Sequence, residues 1–167
     1  MKNKTDGFSL IEVLVVVLII GILTSVALPQ YRKAVVKARV MKLLPLMRTI
    51  DSAQQVYYST YMRYAAKFDD LDIAMPAGGS VNTASTVIHY NDFYCYLYLD
   101  EGVAYSVYCN SKDPIAPRIE KYFDRDWFIC WFYSDSGSGR YSDNEKEKIC
   151  SSIAGGKNKA GYRYTFQ

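Results

Sequence analysis

The chain opens with an apolar stretch of membrane length. Residues 8–28 are 21 consecutive positions in which Glu12 is the single formal charge, and the next charge along the chain is Arg32. About 20 apolar residues are enough for a helix to cross a bilayer. A carboxylate inside such a helix costs about 2.5–3.5 kcal/mol near its centre, so a functional partner is expected for it. The pattern therefore predicts a membrane-spanning helix in which Glu12 has a specific role.

Beyond Pro29 the pattern becomes amphipathic. Apolar and aromatic positions recur at alternating spacings of four and three, which is typical of one face of an α-helix. We predict a long helix from Phe8 to about Ala66, bent at Pro29, with Pro45 as a second candidate bend. Its second half has one face that needs a cover, namely Val36, Val40, Leu43, Met47, Ile50, Gln54, Tyr57, Tyr61 and Tyr64.

Aromatic and β-branched residues in the second half of the chain predict the sheet that supplies this cover. A hairpin is expected over 93–99 and 103–109, around the turn sequence Asp100-Glu101-Gly102. Further strands are expected at 120–123 and 127–133, with a short edge strand at 86–90. Residues 68–76, 78–85 and 134–140 are expected to be connecting segments. An antiparallel sheet on a long helix is an α+β fold.

Composition narrows the classes of function. The chain has 20 basic and 17 acidic side chains, and this near balance gives no case for nucleic-acid binding. His89 is the single histidine, and no nucleophile motif, phosphate loop or paired acid cluster is present, so we predict no catalytic site and no cofactor. Sixteen tyrosines suit the half-wet faces of a sheet, or an outer surface for adhesion or subunit contact.

Four cysteines follow the membrane stretch, and three pairings are possible. Cys95 and Cys109 flank the hairpin turn, and a three-residue loop would place them opposite each other. This favours Cys95–Cys109 together with Cys130–Cys150, in an oxidising compartment. A zinc site would need short paired spacings. The spacings of 14, 21 and 20 positions disfavour it.

The segment Gly7-Phe8-Ser9-Leu10-Ile11-Glu12, with Gly21 and Pro29 further along, resembles the processing and assembly signature of type IV pilins and of type II secretion pseudopilins. The resemblance implies cleavage after Gly7 by a prepilin peptidase and N-methylation of Phe8. It also implies that Glu12 meets the Phe8 amine of a neighbouring subunit. A secretory signal peptide or a plain membrane anchor would explain the apolar stretch, but neither explains Gly7-Phe8 or Glu12.

The resemblance also implies an organisation for the whole chain. Residues 1–7 form the leader, 8–28 the transmembrane and assembly helix, 29–66 the amphipathic half of the helix, and 67–167 a globular sheet domain with a disulfide-bounded C-terminal loop. Gly21 and Pro29 are expected to interrupt the helix and to let it melt and extend in a filament. Asp135 and Asp143 suggest a calcium site, but the acidic spacing matches no strict loop template.

Three functions are compatible with these features. The chain is a pilin of a surface filament, a pseudopilin of a secretion system, or a minor subunit of either. The two expected disulfides favour the pilin. The resemblance implies a homo-oligomeric filament, a single-pass inner-membrane stage with the leader in the cytoplasm and the globular domain in the periplasm, and then an extracellular pilus or a periplasmic pseudopilus. An assembly ATPase and a platform protein are its implied partners.

Overall fold

A computed structural model describes residues 9–113, 116–132, 143–156, 159–161 and 163–167, and for residues 143–145 it describes the backbone alone. The chain divides into two compact units, with the division between Val35 and Val36. The predicted cleavage point, Gly7 and Phe8, lies outside the described residues. So does the loop at 134–140.

The long helical region consists of two helices, α1 (Leu10–Met41) and α2 (Leu43–Tyr61). Contrary to our expectation, α1 is continuous through Gly21 and Pro29. A proline removes one helical hydrogen bond, and the turns on either side keep theirs. The boundary between the two helices falls instead at Lys42. The ring of Pro45 would crowd the carbonyl of Met41, four positions before the proline, and Lys42 directly follows Met41.

α2 ends earlier than predicted, at Tyr61 rather than near Ala66. Met62 adopts a left-handed conformation with φ of 55°, and its amide donates to the carbonyl of Tyr58 at 2.8 Å. This is a common way to end a helix. Within the predicted stripe, the positions from Val36 to Gln54 are buried, whereas Tyr61 is exposed. Only Tyr64, the last residue of the stripe, thus lies beyond the end of the helix.

α2 packs on an antiparallel sheet, which confirms the predicted α+β pilin fold. The sheet has eight strands within the described residues, in the order β1-β2-β3-β4-β5-β6-β8-β7. These are β1 (Ser80–Val81), β2 (Val87–His89), β3 (Phe93–Asp100), β4 (Val103–Ser111), β5 (Arg118–Tyr122), β6 (Phe128–Trp131), β7 (Lys159–Ala160) and β8 (Arg163–Phe166). The core includes fully buried side chains from both layers, namely Met47, Ile50, Leu97, Val107 and Ile119.

The β3–β4 hairpin has a tighter turn than predicted. Asp100 pairs with Val103, so the loop is the two residues Glu101 and Gly102, whose φ angles are 47° and 79°. Two successive positive φ angles match the right-handed twist of a hairpin. The register then shifts by one residue between Tyr98 and Leu99, and this β-bulge brings Cys95 directly opposite Cys109.

Several elements were not predicted. They are a 3-10 turn at Phe68–Asp70, the short strands β1 and β7, the strand β8, and a third helix, α3 (Asp143–Ile153). Ile149, Cys150 and Ile153 have the helical spacing that could have indicated α3, because their side chains fall on one face.

Candidate functional site

The first candidate site is the start of α1, where Glu12 lies in the opening turn of the helix. The backbone amide of Ser9 donates to Glu12 Oε2 at 2.8 Å, and the amides of Glu12 and Val13 donate to the carbonyl of Ser9. This is the glutamate half of a capping box. Glu12 remains exposed within its own chain. A carboxylate accepts several hydrogen bonds, so this contact leaves it capacity for a partner outside the chain.

The helix that follows Glu12 presents an apolar surface without a protein cover. The helical stretch Leu10–Tyr61 includes a window with a mean hydropathy of 2.8, none of it buried, which is long and apolar enough to cross a membrane. Its polar side chains are satisfied internally. Thr24 Oγ1 donates to the carbonyl of Ile20 at 2.7 Å, and Ser25 Oγ donates to that of Ile22 at 2.7 Å. Such back-bonding lets hydroxyl groups lie in an apolar medium.

Two disulfides confirm the predicted pairing. Cys95 and Cys109 lie directly opposite each other in the β3–β4 ladder, with their Cα atoms 4.1 Å apart. Cys130 on β6 and Cys150 on α3 form the second bond, with a Cα separation of 5.5 Å. All four are fully buried. The second disulfide attaches α3 to the sheet, which explains why Cys150 lies 20 positions beyond Cys130.

The N-terminal segment of the chain is similar to known proteins. A family model described as the prokaryotic N-terminal methylation motif matches residues 2–28. A type IV major pilin protein, PilE1, of Neisseria gonorrhoeae is 33% identical over 76 residues, which cover 46% of this chain and 46% of that protein. Together these findings support a relationship between this chain and the type IV pilin family.

Other relatives of the same kind cover shorter stretches. The type IV major fimbrial protein FimA of Dichelobacter nodosus is 43% identical over 44 residues, covering 26% of this chain and 28% of the relative. A probable minor fimbrial protein of the same organism is 51% identical over 42 residues, 25% of this chain and 26% of the relative. The matched region is thus less than half the length of these pilin relatives. No solved structure matches.

The globular part of this pilin-like chain contains two buried charged residues that sequence reasoning missed. Lys121 on β5 lies 3.3 Å from Asp51 Oδ2 on α2 and donates to the carbonyls of Tyr122 and Arg125. Its neighbour Glu120 accepts from Ser106 Oγ at 2.9 Å and from Trp131 Nε1 at 2.6 Å. Buried charges need such partners. The alternation of side chains along a strand places these two residues on opposite faces of the sheet.

The outer face of the sheet carries many of the tyrosines that the composition had indicated. On β3, β4 and β5 the rings lie in mutual contact, with centroids 5.3 Å apart for Tyr96 and Tyr108 and 6.0 Å for Tyr105 and Tyr122. Burial raises the pKa of Tyr105, Tyr108 and Tyr122 above the ordinary value. These hydroxyls are therefore neutral at physiological pH and available as hydrogen-bond donors.

No group of three or more metal-ligating side chains occurs among the residues that the structure describes. The calcium site that the acidic spacing disfavours would involve Asp135 and the side chain of Asp143, and both lie outside the described residues. His89 is exposed on β2 and its ring lies 6.1 Å from that of Tyr94.

Proposed function

We propose that this chain is a structural subunit, a pilin, of a type IV pilus. The proposal rests on one combination of features. The methylation motif at residues 2–28 overlaps a helix whose apolar side chains are exposed and whose sole charge before Arg32 is Glu12. Such a surface needs lipid or neighbouring helices to cover it. A filament subunit requires both in turn, first in the membrane and then in the assembled fibre.

Processing would create the partner of Glu12. Cleavage after Gly7 frees the amine of Phe8, and methylation leaves that amine basic. Phe8 and Glu12 are four residues apart in sequence, but the carboxylate already accepts from the amide of Ser9 in its own chain. Pairing with the ammonium of another subunit would offset the cost of burying both charges among helices. Because that pair forms at one axial offset, it would set the register between subunits.

The remaining parts of the molecule support this role. Within the second compact unit, the last turns of α1 are held by contacts such as Lys37 Nζ to the carbonyl of Ser152 at 2.9 Å and Arg39 to Asp113 at 3.0 Å. We expect Gly21 and Pro29 to be the points at which α1 yields when the filament is stretched. The subunit would wait in the inner membrane with its globular unit in the periplasm, and an assembly ATPase and a platform protein would extract it.

A minor subunit of the same filament is the second candidate. The observation in its favour is the similarity to the probable minor fimbrial protein of Dichelobacter nodosus. The two roles differ in abundance rather than in chemistry, because a major subunit must form most of the mass of the fibre.

Mass spectrometry of filaments sheared from native cells tests the proposal. The expected species is abundant, begins at methylated Phe8 and lacks four hydrogens because of its two disulfides. A trace amount of the same species would favour the minor subunit. A processed species restricted to membranes would favour a pseudopilin. An intact Met1 terminus in the membrane fraction would refute all three.

A further inference from the structure

A shallow groove crosses the outer face of the sheet near its β7–β8 edge. Its volume is about 460 Å³, within the range of sites that hold small ligands. The groove is open to solvent and combines two guanidinium groups with an indole ring and small or apolar side chains. It is lined by Arg125, Trp127, Ile129, Ala160, Arg163 and Thr165.

Each of the two guanidinium groups lies over an aromatic ring. The Cζ atom of Arg125 lies 4.7 Å from the ring centroid of Tyr122 and 6.0 Å from that of Trp127. The Cζ atom of Arg163 lies 5.4 Å from the ring centroid of Trp131. Interaction with a ring orients a guanidinium without using its N–H donors. The donors on the edge of each group therefore remain available to a ligand.

Neither arginine is neutralised strongly by the protein. Within the described part of the chain, no carboxylate lies within 4.0 Å of Arg163, and Arg125 pairs with Asp124 alone, at 3.5 Å. Both side chains of that pair are largely exposed, so it contributes little. The nearby buried carboxylate, Glu120, already accepts hydrogen bonds at both of its oxygens. The groove thus has an excess of positive charge.

The hydroxyl of Tyr122 lies in the field of both arginines. Burial and the Glu120 carboxylate raise the pKa of Tyr122, whereas Arg125 and Arg163 act on it in the opposite sense. Both arginines line the same groove, so they surround a common region of the surface. A ligand that bridges them would carry its negative charge on a compact group such as a carboxylate.

We infer that this groove binds the acidic sugar of a glycan, a sialic or uronic acid. The sugar carboxylate pairs with Arg125 and Arg163, because the planar guanidinium matches a carboxylate in a bidentate way. The indole of Trp127, which is 41% exposed, covers the apolar face of the sugar ring. The hydroxyl of Thr165 is available to a sugar hydroxyl. A nucleic acid is a poorer match, because Asp124 and Asp126 flank the groove in sequence and would repel a row of phosphates.

Binding is measured with the full-length chain in detergent micelles, so the test does not depend on assembly. The chain has two tryptophans, both on this part of the sheet, and their fluorescence reports the titration. The probes are 3′-sialyllactose and tri-galacturonic acid, which distinguish the two acidic sugars, with lactose as the neutral comparison. We expect saturable binding of at least one acidic probe, none of lactose at the same concentration, and weaker binding at higher salt.

The variants Arg125→Gln and Arg163→Gln are each expected to raise the Kd about tenfold. Arg118→Gln is the matched control. Arg118 also lies over a ring, 4.5 Å from the centroid of Tyr108, but its Nε donates to Asn110 and it does not line the groove. Thermal unfolding of each variant establishes that it is folded.

Three results would overturn the inference: no binding of either acidic probe, equal binding of lactose, or an equal loss in Arg118→Gln. Tighter binding of an oligothymidylate than of both acidic sugars would identify the groove as a nucleic-acid site and would also overturn it.

Discussion

The substitution Gln54→Met removes both hydrogen bonds that the Gln54 amide makes to the backbone of Ala65. Gln54 is fully buried on α2, its Nε2 donates to the carbonyl of Ala65 at 3.0 Å, and its Oε1 accepts from the amide of Ala65 at 2.8 Å. Ala65 is itself buried. Methionine has nearly the same shape as glutamine, so the variant removes these bonds with little change in packing.

The cost follows from the two backbone groups that lose their partner. A buried amide or carbonyl without a hydrogen bond costs about 1–3 kcal/mol, so the pair costs about 2–6 kcal/mol. The extra apolar atoms of methionine offset about 1 kcal/mol of this. We therefore expect a net destabilisation of about 1–5 kcal/mol. For a folded unit of this size that corresponds to a fall in Tm of about 3–18 °C.

The neighbouring glutamine supplies a matched control. Gln55 Nε2 donates to the carbonyl of Phe123 at 2.7 Å, but this carbonyl also accepts from the hydroxyl of Tyr64 at 3.0 Å. Gln55→Met leaves that carbonyl with a partner, so a loss below about 1 kcal/mol is expected.

The assay is urea or thermal unfolding of the full chain in detergent, followed by tryptophan fluorescence. Trp131 lies on β6 and Trp127 directly precedes that strand, so the signal reports the globular unit and not the apolar helix. If Gln54→Met destabilised the protein no more than Gln55→Met, the buried amide would not be what holds the segment after α2 in place.

Three further predictions test other parts of the molecule. Glu12→Ala should insert in the membrane normally but yield few filaments on shearing, and normal yield with this variant would refute the assembly role. Cys130→Ser with Cys150→Ser should cost about 3 kcal/mol and increase amide exchange in α3 more than in β3. Alkaline unfolding should begin near pH 10, because burial raises tyrosine pKa values in the fold above the unfolded value of about 10. The stabilising effect of the neutral hydroxyls is complete below that value and is lost as the pH rises through the folded pKa values. Unfolding that is independent of pH between 9 and 12 would contradict this for Tyr64, Tyr90, Tyr105, Tyr108 and Tyr122.

Local pattern was a good guide to the helices and the central hairpin. The stripe from Val36 to Gln54 is buried as its spacing predicts, because helical periodicity alone decides which side chains share a face. The pairing of Cys95 with Cys109 was predicted from their position around a turn, although the loop proved shorter and a bulge between Tyr98 and Leu99 sets the final register. The end of α2 was harder to predict from the sequence, because Tyr64 continues the helical spacing of the stripe beyond Tyr61.

Two of the missed features depend on partners distant in sequence. α3 is attached to the sheet through Cys130, and β8 pairs with β6, from which it is separated by the whole of α3. The spacing of Ile149, Cys150 and Ile153 could indicate a helix, but which strand that helix or β8 joins has no local signature, because closing a long loop leaves no pattern in the residues being joined.

By itself the sequence indicated the class of this protein: an apolar helix after Gly7-Phe8 with one carboxylate in its first turn, and cysteines that all follow this apolar stretch. These are one-dimensional properties, set by hydropathy, period and spacing. Only the tertiary structure brought Arg125 and Arg163 to one groove, paired Lys121 with Asp51, and placed Gln54 against Ala65. Those arrangements depend on which strands become neighbours, and burial of the whole core, rather than any single segment, decides that.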